Sequence, residues 1–155
     1  MTPKEHIAYH EAGHAVIALK LGYDVKVTTI KPKYGALGKT MSQPGAASSD
    51  RCVDLDAAAI KIGLAGPLAE QLVSPVRFDE LLTNGCRHDW RSAKRTARQL
   101  NTRGEAEILI VMLALETATL IQQHREAIAR VATALLQHET LTGDDVKRLS
   151  DGRTA

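Results

Sequence analysis

The stretch His10-Glu11-Ala12-Gly13-His14 lies in a segment whose residue pattern predicts a helix. Residues four apart on a helix lie about 40° apart around its axis and about 6 Å apart along it. His10 and His14 therefore project from one face and can share a single metal ion. Glu11 lies beside that ion, where its carboxylate could take a proton from a metal-bound water. This H-E-x-x-H pattern is typical of zinc peptidases and predicts a zinc site with Glu11 as the catalytic base.

The third metal ligand is not fixed by this motif. A catalytic zinc site usually has three protein ligands and an open position for water. His6 precedes His10 by four residues, but three ligands in one row on a helix cannot surround an ion. A residue at the start of another helix is better placed, and both His88 and Asp89 fit that description. Spacing alone does not separate them, and imidazole and carboxylate ligands also suit other ions.

Composition narrows the class of protein. The chain has 155 residues, of which 44% are apolar, 25% charged and 3% aromatic, with a net charge of +2. This favours one soluble domain over residues 1–150 with a core of Ala, Leu, Val and Ile, followed by a flexible tail over 151–155. We expect no membrane segment and no nucleic-acid binding. Cys52 and Cys86 do not form a disulfide framework, so we expect a cytoplasmic location.

The remaining pattern predicts a mainly α (α+β) domain. Thr2-Pro3-Lys4-Glu5 is a capping-box start for the first helix, and Gly22 ends that helix. Alternation predicts a strand over 25–30 and a weaker one over 36–41. These two strands form either a plain hairpin or an edge that could pair with an extended peptide. Further helices are predicted over 51–73, 88–101, 105–123, 126–138 and 142–149.

Two features of the later helices leave alternatives open. Gly66-Pro67 predicts that the second helix is kinked or split there. Glu70 is either a surface glutamate or a partner that orients a metal-binding histidine. The helix that begins near His88 is rich in Arg and Lys, which we interpret as a solvated basic face.

The chain resembles the peptidase domain of the FtsH-type proteases, the M41 metallopeptidases. The motif carries this resemblance together with the order and spacing of further segments, which lie at 9–16, 36–40, 64–70, 84–89 and 125–143. The resemblance implies a helical zincin-like domain with a small β element. It also implies His10 and His14 as zinc ligands, Glu11 as the base and Asp89 as the third ligand. The substrate backbone would lie along the strand at 36–41.

The chain also departs from the family pattern. Family members carry a membrane anchor and an ATP-driven unfolding module, and these 155 residues contain no P-loop pattern. The residues before Asp89 are Cys86-Arg87-His88, which differ from the family pattern. The stretch from 89 to 125 is shorter than the corresponding stretch in the family. We therefore predict a zinc-dependent endopeptidase that cleaves unfolded or flexible polypeptides and is ATP-independent in itself. A separate ATPase or a homo-oligomer is an expected partner. The alternative is a catalytically silent zinc-binding module for regulation or interaction.

Overall fold

A computed structural model describes residues 2–32, 37–45, 55–74, 87–100 and 105–152, without the side chains of residues 87 and 88. The first helix, α1, runs from Pro3 to Lys20. The hydroxyl of Thr2 accepts a hydrogen bond from the Glu5 amide at 3.3 Å, and the Glu5 carboxylate accepts one from the Thr2 amide at 2.7 Å. Gly22, at φ +84°, ends the helix. The predicted capping box and the predicted stop are both confirmed.

The other elements give a mainly α fold with a small antiparallel sheet, as predicted. In chain order they are β1 (Tyr23–Thr29), β2 (Lys39–Pro44), α2 (Leu55–Glu70), α3 (Arg87–Leu100), α4 (Ala106–Gln123), α5 (Arg125–His138), β3 (Thr140–Thr142) and α6 (Gly143–Ser150). The domain boundaries at 1–150 and the flexible tail at 151–155 stay predictions.

The sheet has the strand order β2-β1-β3, and its strands pair antiparallel. Thr28 of β1 lies opposite Thr40 of β2 on one side and Leu141 of β3 on the other. The third strand was not predicted. The second strand was predicted over 36–41, but it begins at Lys39. Leu37 and Gly38 are described and are not part of the strand, so the predicted start is too early. Its first residue, Ala36, lies outside the described part.

Small residues let α1 lie very close to α2. A Cβ added to Gly13 would lie 2.5 Å from the Cβ of Ala69 and 2.6 Å from the carbonyl oxygen of Ala65. Ala12 is also fully buried. The two residues between Glu11 and His14 in the motif are therefore packing residues, and Gly13 sets the distance between the two helices. On its other side α1 packs against α5.

The second helix continues through Gly66-Pro67, so of the two predicted alternatives the split is wrong and the kink stays a prediction. Proline lacks an N–H, which removes one backbone hydrogen bond from a helix interior. Here Leu64, Ala65, Leu68 and Ala69 are buried on both sides of the proline. This packing holds the two halves in one helix despite the missing bond.

Helix α4 has two apolar faces. Its inner face packs against α2 and α3, whereas Ile108, Val111, Met112 and Leu115 are exposed at i, i+3, i+4 and i+7 spacing. Within the described ranges, α4 is the one helix long and apolar enough to cross a membrane by length and composition. A single such helix is weak evidence of a span, because core helices of soluble proteins have the same character.

Candidate metal centre

Three side chains from two helices converge on one point. The Nε2 atoms of His10 and His14 lie 3.0 Å apart. The Oδ2 atom of Asp89, in the first turn of α3, lies 3.2 Å from the His10 nitrogen and 3.7 Å from the His14 nitrogen. All three ligand atoms therefore lie within 4.8 Å of one another.

The outer nitrogen of each imidazole has its own acceptor. His10 Nδ1 donates to Glu70 Oε1 at 2.7 Å, and His14 Nδ1 donates to the carbonyl oxygen of Ile62 at 2.7 Å. A carbonyl oxygen only accepts, so the His14 proton lies on Nδ1 and the lone pair lies on Nε2. The carboxylate of Glu70 also only accepts, so the His10 proton lies on Nδ1 and the lone pair lies on Nε2. Both rings are therefore oriented with an unprotonated nitrogen facing the centre, which is the tautomer that binds a metal.

The spacing of these atoms fits a bound cation. Two ligand atoms about 2.1 Å from one tetrahedral ion lie roughly 3.4 Å apart, and the three observed distances of 3.0 to 3.7 Å bracket that value. Two unprotonated nitrogens facing each other at 3.0 Å cannot form a hydrogen bond without an added proton. Two imidazoles and a carboxylate suit a zinc ion with a fourth position left for water.

Asp89 rather than His6 completes the group. His6 Nδ1 lies 3.7 Å from Glu70 Oε2, so this histidine faces the glutamate and not the centre. Burial raises the pKa of Asp89, whereas hydrogen bonds from His10 and His14 and their positive charge, when these rings are protonated, lower that pKa well below its usual range. A cation facing the unprotonated rings would replace that charge and favour the ionised carboxyl in the same way. The His88 side chain, the alternative ligand, lies outside the described residues.

Glu11 is almost fully buried, with 5% of its surface exposed. Its Oε2 atom accepts a hydrogen bond from the hydroxyl of Thr40 in β2 at 2.8 Å. A Cβ added to Gly38 would lie 2.7 Å from its other oxygen, Oε1. The carboxylate is thus held between α1 and the backbone that leads into β2.

Gly66 of α2 faces the Nε2 atoms of His10 and His14. A Cβ at this position would lie 2.6 Å from Nε2 of His10 and closer still to Nε2 of His14. A side chain on this residue would fill the space next to the ligand atoms. The glycine therefore keeps the centre open on the side of α2.

Sequence reasoning located the motif and the candidates but missed its supports. Glu70 had two open interpretations, and its contact with His10 favours the orienting partner over the surface glutamate. Gly66 and Thr40 were not assigned to the site. No sequence pattern marks Thr40, because its contact with Glu11 depends on how β2 packs against α1.

Comparison with known proteins agrees with this geometry. The sequence model of the family described as peptidase family M41 matches residues 1–104. The chain is 29% identical to an ATP-dependent zinc metalloprotease FtsH of Neorickettsia risticii over 94% of its own length and 28% of the relative. It is 30% identical to one of Chloroflexus aggregans, over 92% and 28% of the two chains. It is 27% identical to the chloroplastic or mitochondrial FTSH 11 of Arabidopsis thaliana, over 94% and 21%.

The chain thus spans about a quarter of the length of these relatives. The family match covers both metal-motif histidines, Glu11 and Asp89. On this match the chain belongs to peptidase family M41.

Proposed function

We propose that this domain is a zinc-dependent endopeptidase that hydrolyses peptide bonds in unfolded or flexible polypeptides. His10, His14 and Asp89 would hold the zinc ion, and Glu11 would act as the base. The observation that carries the proposal is the convergence of three ligand atoms whose imidazoles are oriented by Glu70 and by the Ile62 carbonyl. The names of the relatives, ATP-dependent zinc metalloproteases, support the same choice of metal and reaction.

The reaction needs a proton acceptor that later becomes a donor. When bound, zinc supplies Lewis acidity, which polarises the substrate carbonyl and lowers the pKa of water from about 15.7 toward 7. The carboxylate of Glu11 accepts a proton as the water oxygen bonds to the carbonyl carbon. It returns this proton to the amine nitrogen as the C–N bond breaks. The second proton of the water leaves the new carboxylic acid for the amine, so the products are a carboxylate and an ammonium group, and Glu11 is regenerated.

The position of β2 supports an extended substrate. β2 pairs with β1 on one side, and among the described residues no strand pairs with its other side. Such an edge offers backbone N–H and C=O groups to an extended peptide. Thr40 of this strand touches Glu11, so a peptide along the edge would lie beside the base. Flexible or unfolded segments can adopt this extended form, whereas a folded substrate would first have to be opened.

The hydrolysis step itself uses water and no nucleotide, so we propose a peptidase that is ATP-independent in itself. The relatives named above are described as ATP-dependent. Supply of unfolded substrate by a separate ATPase, or by a homo-oligomer that encloses the site, is the corresponding proposal for partners. We place the reaction in the cytoplasm because the chain has only two cysteines.

Cleavage of casein, an unfolded protein, by the zinc-loaded domain tests the proposal. Glu11→Gln should lower the rate by at least about 100-fold, the lower range for loss of a general base, while zinc stays bound in stoichiometric amount. Glu107→Gln is the matched control, because Glu107 lies exposed on α4 and pairs with Arg98. Full activity in Glu11→Gln would refute the mechanism. Stoichiometric zinc without cleavage by the wild type, alone or with an added ATPase, would instead favour a silent module.

A further inference from the structure

Glu11, the proposed base, is the last member of a hydrogen-bond network that includes hydroxyl groups from two neighbouring strands. Thr28 of β1 and Thr40 of β2 are direct partners in the sheet, and their Oγ1 atoms lie 2.6 Å apart. The Thr40 hydroxyl in turn lies 2.8 Å from Oε2 of Glu11 and 3.1 Å from the Glu11 carbonyl oxygen. Thr28 is fully buried, and Thr40 is partly buried.

The number of protons available decides which group donates in each of these hydrogen bonds. A hydroxyl has one proton to donate. A carboxylate that is ready to act as a base can only accept, so Thr40 must donate its proton to Glu11. Thr40 then has no proton left for Thr28, so Thr28 must donate to Thr40. Donation from Thr28 to Thr40 and from Thr40 to Glu11 is thus the arrangement that satisfies both threonines and the ionised form of Glu11.

The two oxygens of the Glu11 carboxylate have different surroundings. Oε2 is engaged by the Thr40 hydroxyl, whereas Oε1 lies against the backbone of Gly38, where any Cβ would come within 2.7 Å. Residues 38 and 40 lie on one face of the chain as it enters β2, so this segment contacts the carboxylate at both oxygens. Rotation of Glu11 would lose the hydrogen bond at one oxygen or meet backbone at the other.

We infer that Thr40, supported by Thr28, is a positioning residue that holds the Glu11 carboxylate in the orientation in which Oε1 takes the proton of the attacking water. This inference rests on the proposed function. Oε2 keeps its hydrogen bond from the Thr40 hydroxyl, which leaves Oε1 to take the proton. The edge strand that would bind the substrate therefore also orients the base.

The test compares Thr40→Val, Thr40→Ser and Thr28→Val in zinc-loaded protein with a casein-derived peptide as substrate. Thr40→Val should lower kcat by about 10–100-fold, the loss typical of groups that orient the side chains of a metal site, with KM within twofold and stoichiometric zinc. Thr40→Ser, which keeps the hydroxyl, should restore most of the rate. Thr28→Val should lose less, since Thr40 can still donate to Glu11. Thr29→Val is the control, because its hydroxyl bonds the Glu139 carbonyl and Thr140 instead.

Crystal structures of the same variants give a readout that does not require activity. The Glu11 carboxylate should keep its orientation in wild type and Thr40→Ser and lose it in Thr40→Val. An unchanged kcat in Thr40→Val, or an equal loss in Thr40→Ser, would overturn the inference. A wild type that cleaves nothing would count against the proposed peptidase, and the orientation of Glu11 in the crystal structures would then decide the role of Thr40.

Discussion

Two glycines on α2 provide a sharp test of the metal centre. Gly66→Ala places a methyl group 2.6 Å from Nε2 of His10 and nearer still to Nε2 of His14. Ordinary contacts between non-bonded heavy atoms begin at about 3.5 Å, so the His10 nitrogen would have to move by about 0.9 Å. Metal–ligand distances tolerate only about 0.2 Å. The variant should therefore fold but bind zinc poorly.

The expected loss follows from the size of this displacement. Removal of a group that merely orients a ligand lowers metal affinity by about 10–100-fold. Moving the ligand atoms themselves should reach at least the upper value, and 100-fold corresponds to about 2.8 kcal/mol. Gly63→Ala is the control, one helical turn away. Its added Cβ has its nearest neighbour, the Asp89 carbonyl oxygen, at 3.9 Å. This variant should bind zinc normally and gain about 0.4–1 kcal/mol of stability, as Gly→Ala does at compatible sites.

Competition against a chromophoric chelator would give the zinc affinities, circular dichroism the helix content, and casein cleavage the activity. Gly66→Ala should have the same helix content as the wild type and Gly63→Ala, but a lower zinc affinity and a lower rate of casein cleavage. Wild-type zinc affinity in Gly66→Ala would refute the reasoning, because it would mean that His10 and His14 do not bind the ion through the nitrogens that face α2. A Gly63→Ala variant as weak as Gly66→Ala would show that the effect is general to α2 rather than local to the ligands.

Three further predictions concern the supports of the site. Glu70→Ala removes the acceptor of the His10 Nδ1 proton and should weaken zinc binding by about 10–100-fold in the same competition assay; unchanged affinity would contradict the orienting role. Zinc at 100 times its dissociation constant should stabilise the fold by about 2.7 kcal/mol, so a chelator should lower the melting temperature of the wild type but not that of His14→Ala. Thr2→Ala removes the capping box of α1 and should cost about 1 kcal/mol in urea unfolding. Its zinc affinity should stay unchanged if the cap acts on the helix alone.

The local parts of the site could be predicted from sequence, because their geometry is fixed by one helix. A capping box at Thr2 and a glycine at position 22 bound α1, and helical periodicity then places His10 and His14 on the same face. None of this depends on another element. The same reasoning could not choose between His88 and Asp89, since the ligand from another helix depends on how α1 and α3 pack.

The errors also have physical causes. The split of helix α2 at Pro67, one of the two predicted alternatives, follows from the local propensity that opposes proline in a helix interior, but burial of the residues on both sides of the proline outweighs that preference. β3 has three residues, too few for an alternating pattern, and it exists because β1 offers Thr28 and Thr29 as partners. Glu70 had two interpretations because its role depends on the distance between two helices.

Three glycines explain why the H-E-x-x-H pattern alone does not make this centre. Gly13 lets α1 and α2 touch, Gly66 leaves room beside the ligand nitrogens, and Gly38 admits the backbone before β2 to the carboxylate of Glu11. Gly13 and Gly66 lie where α2 meets the motif and Gly38 where the segment before β2 meets it, and at each of them a Cβ would lie within 2.7 Å of a neighbour. A larger residue at position 13 would push α2 away and carry with it Glu70 and the Ile62 carbonyl, which orient the two imidazoles. In the proposed function the motif would supply two ligands and the base, and these glycines determine whether the surrounding elements come close enough to orient them.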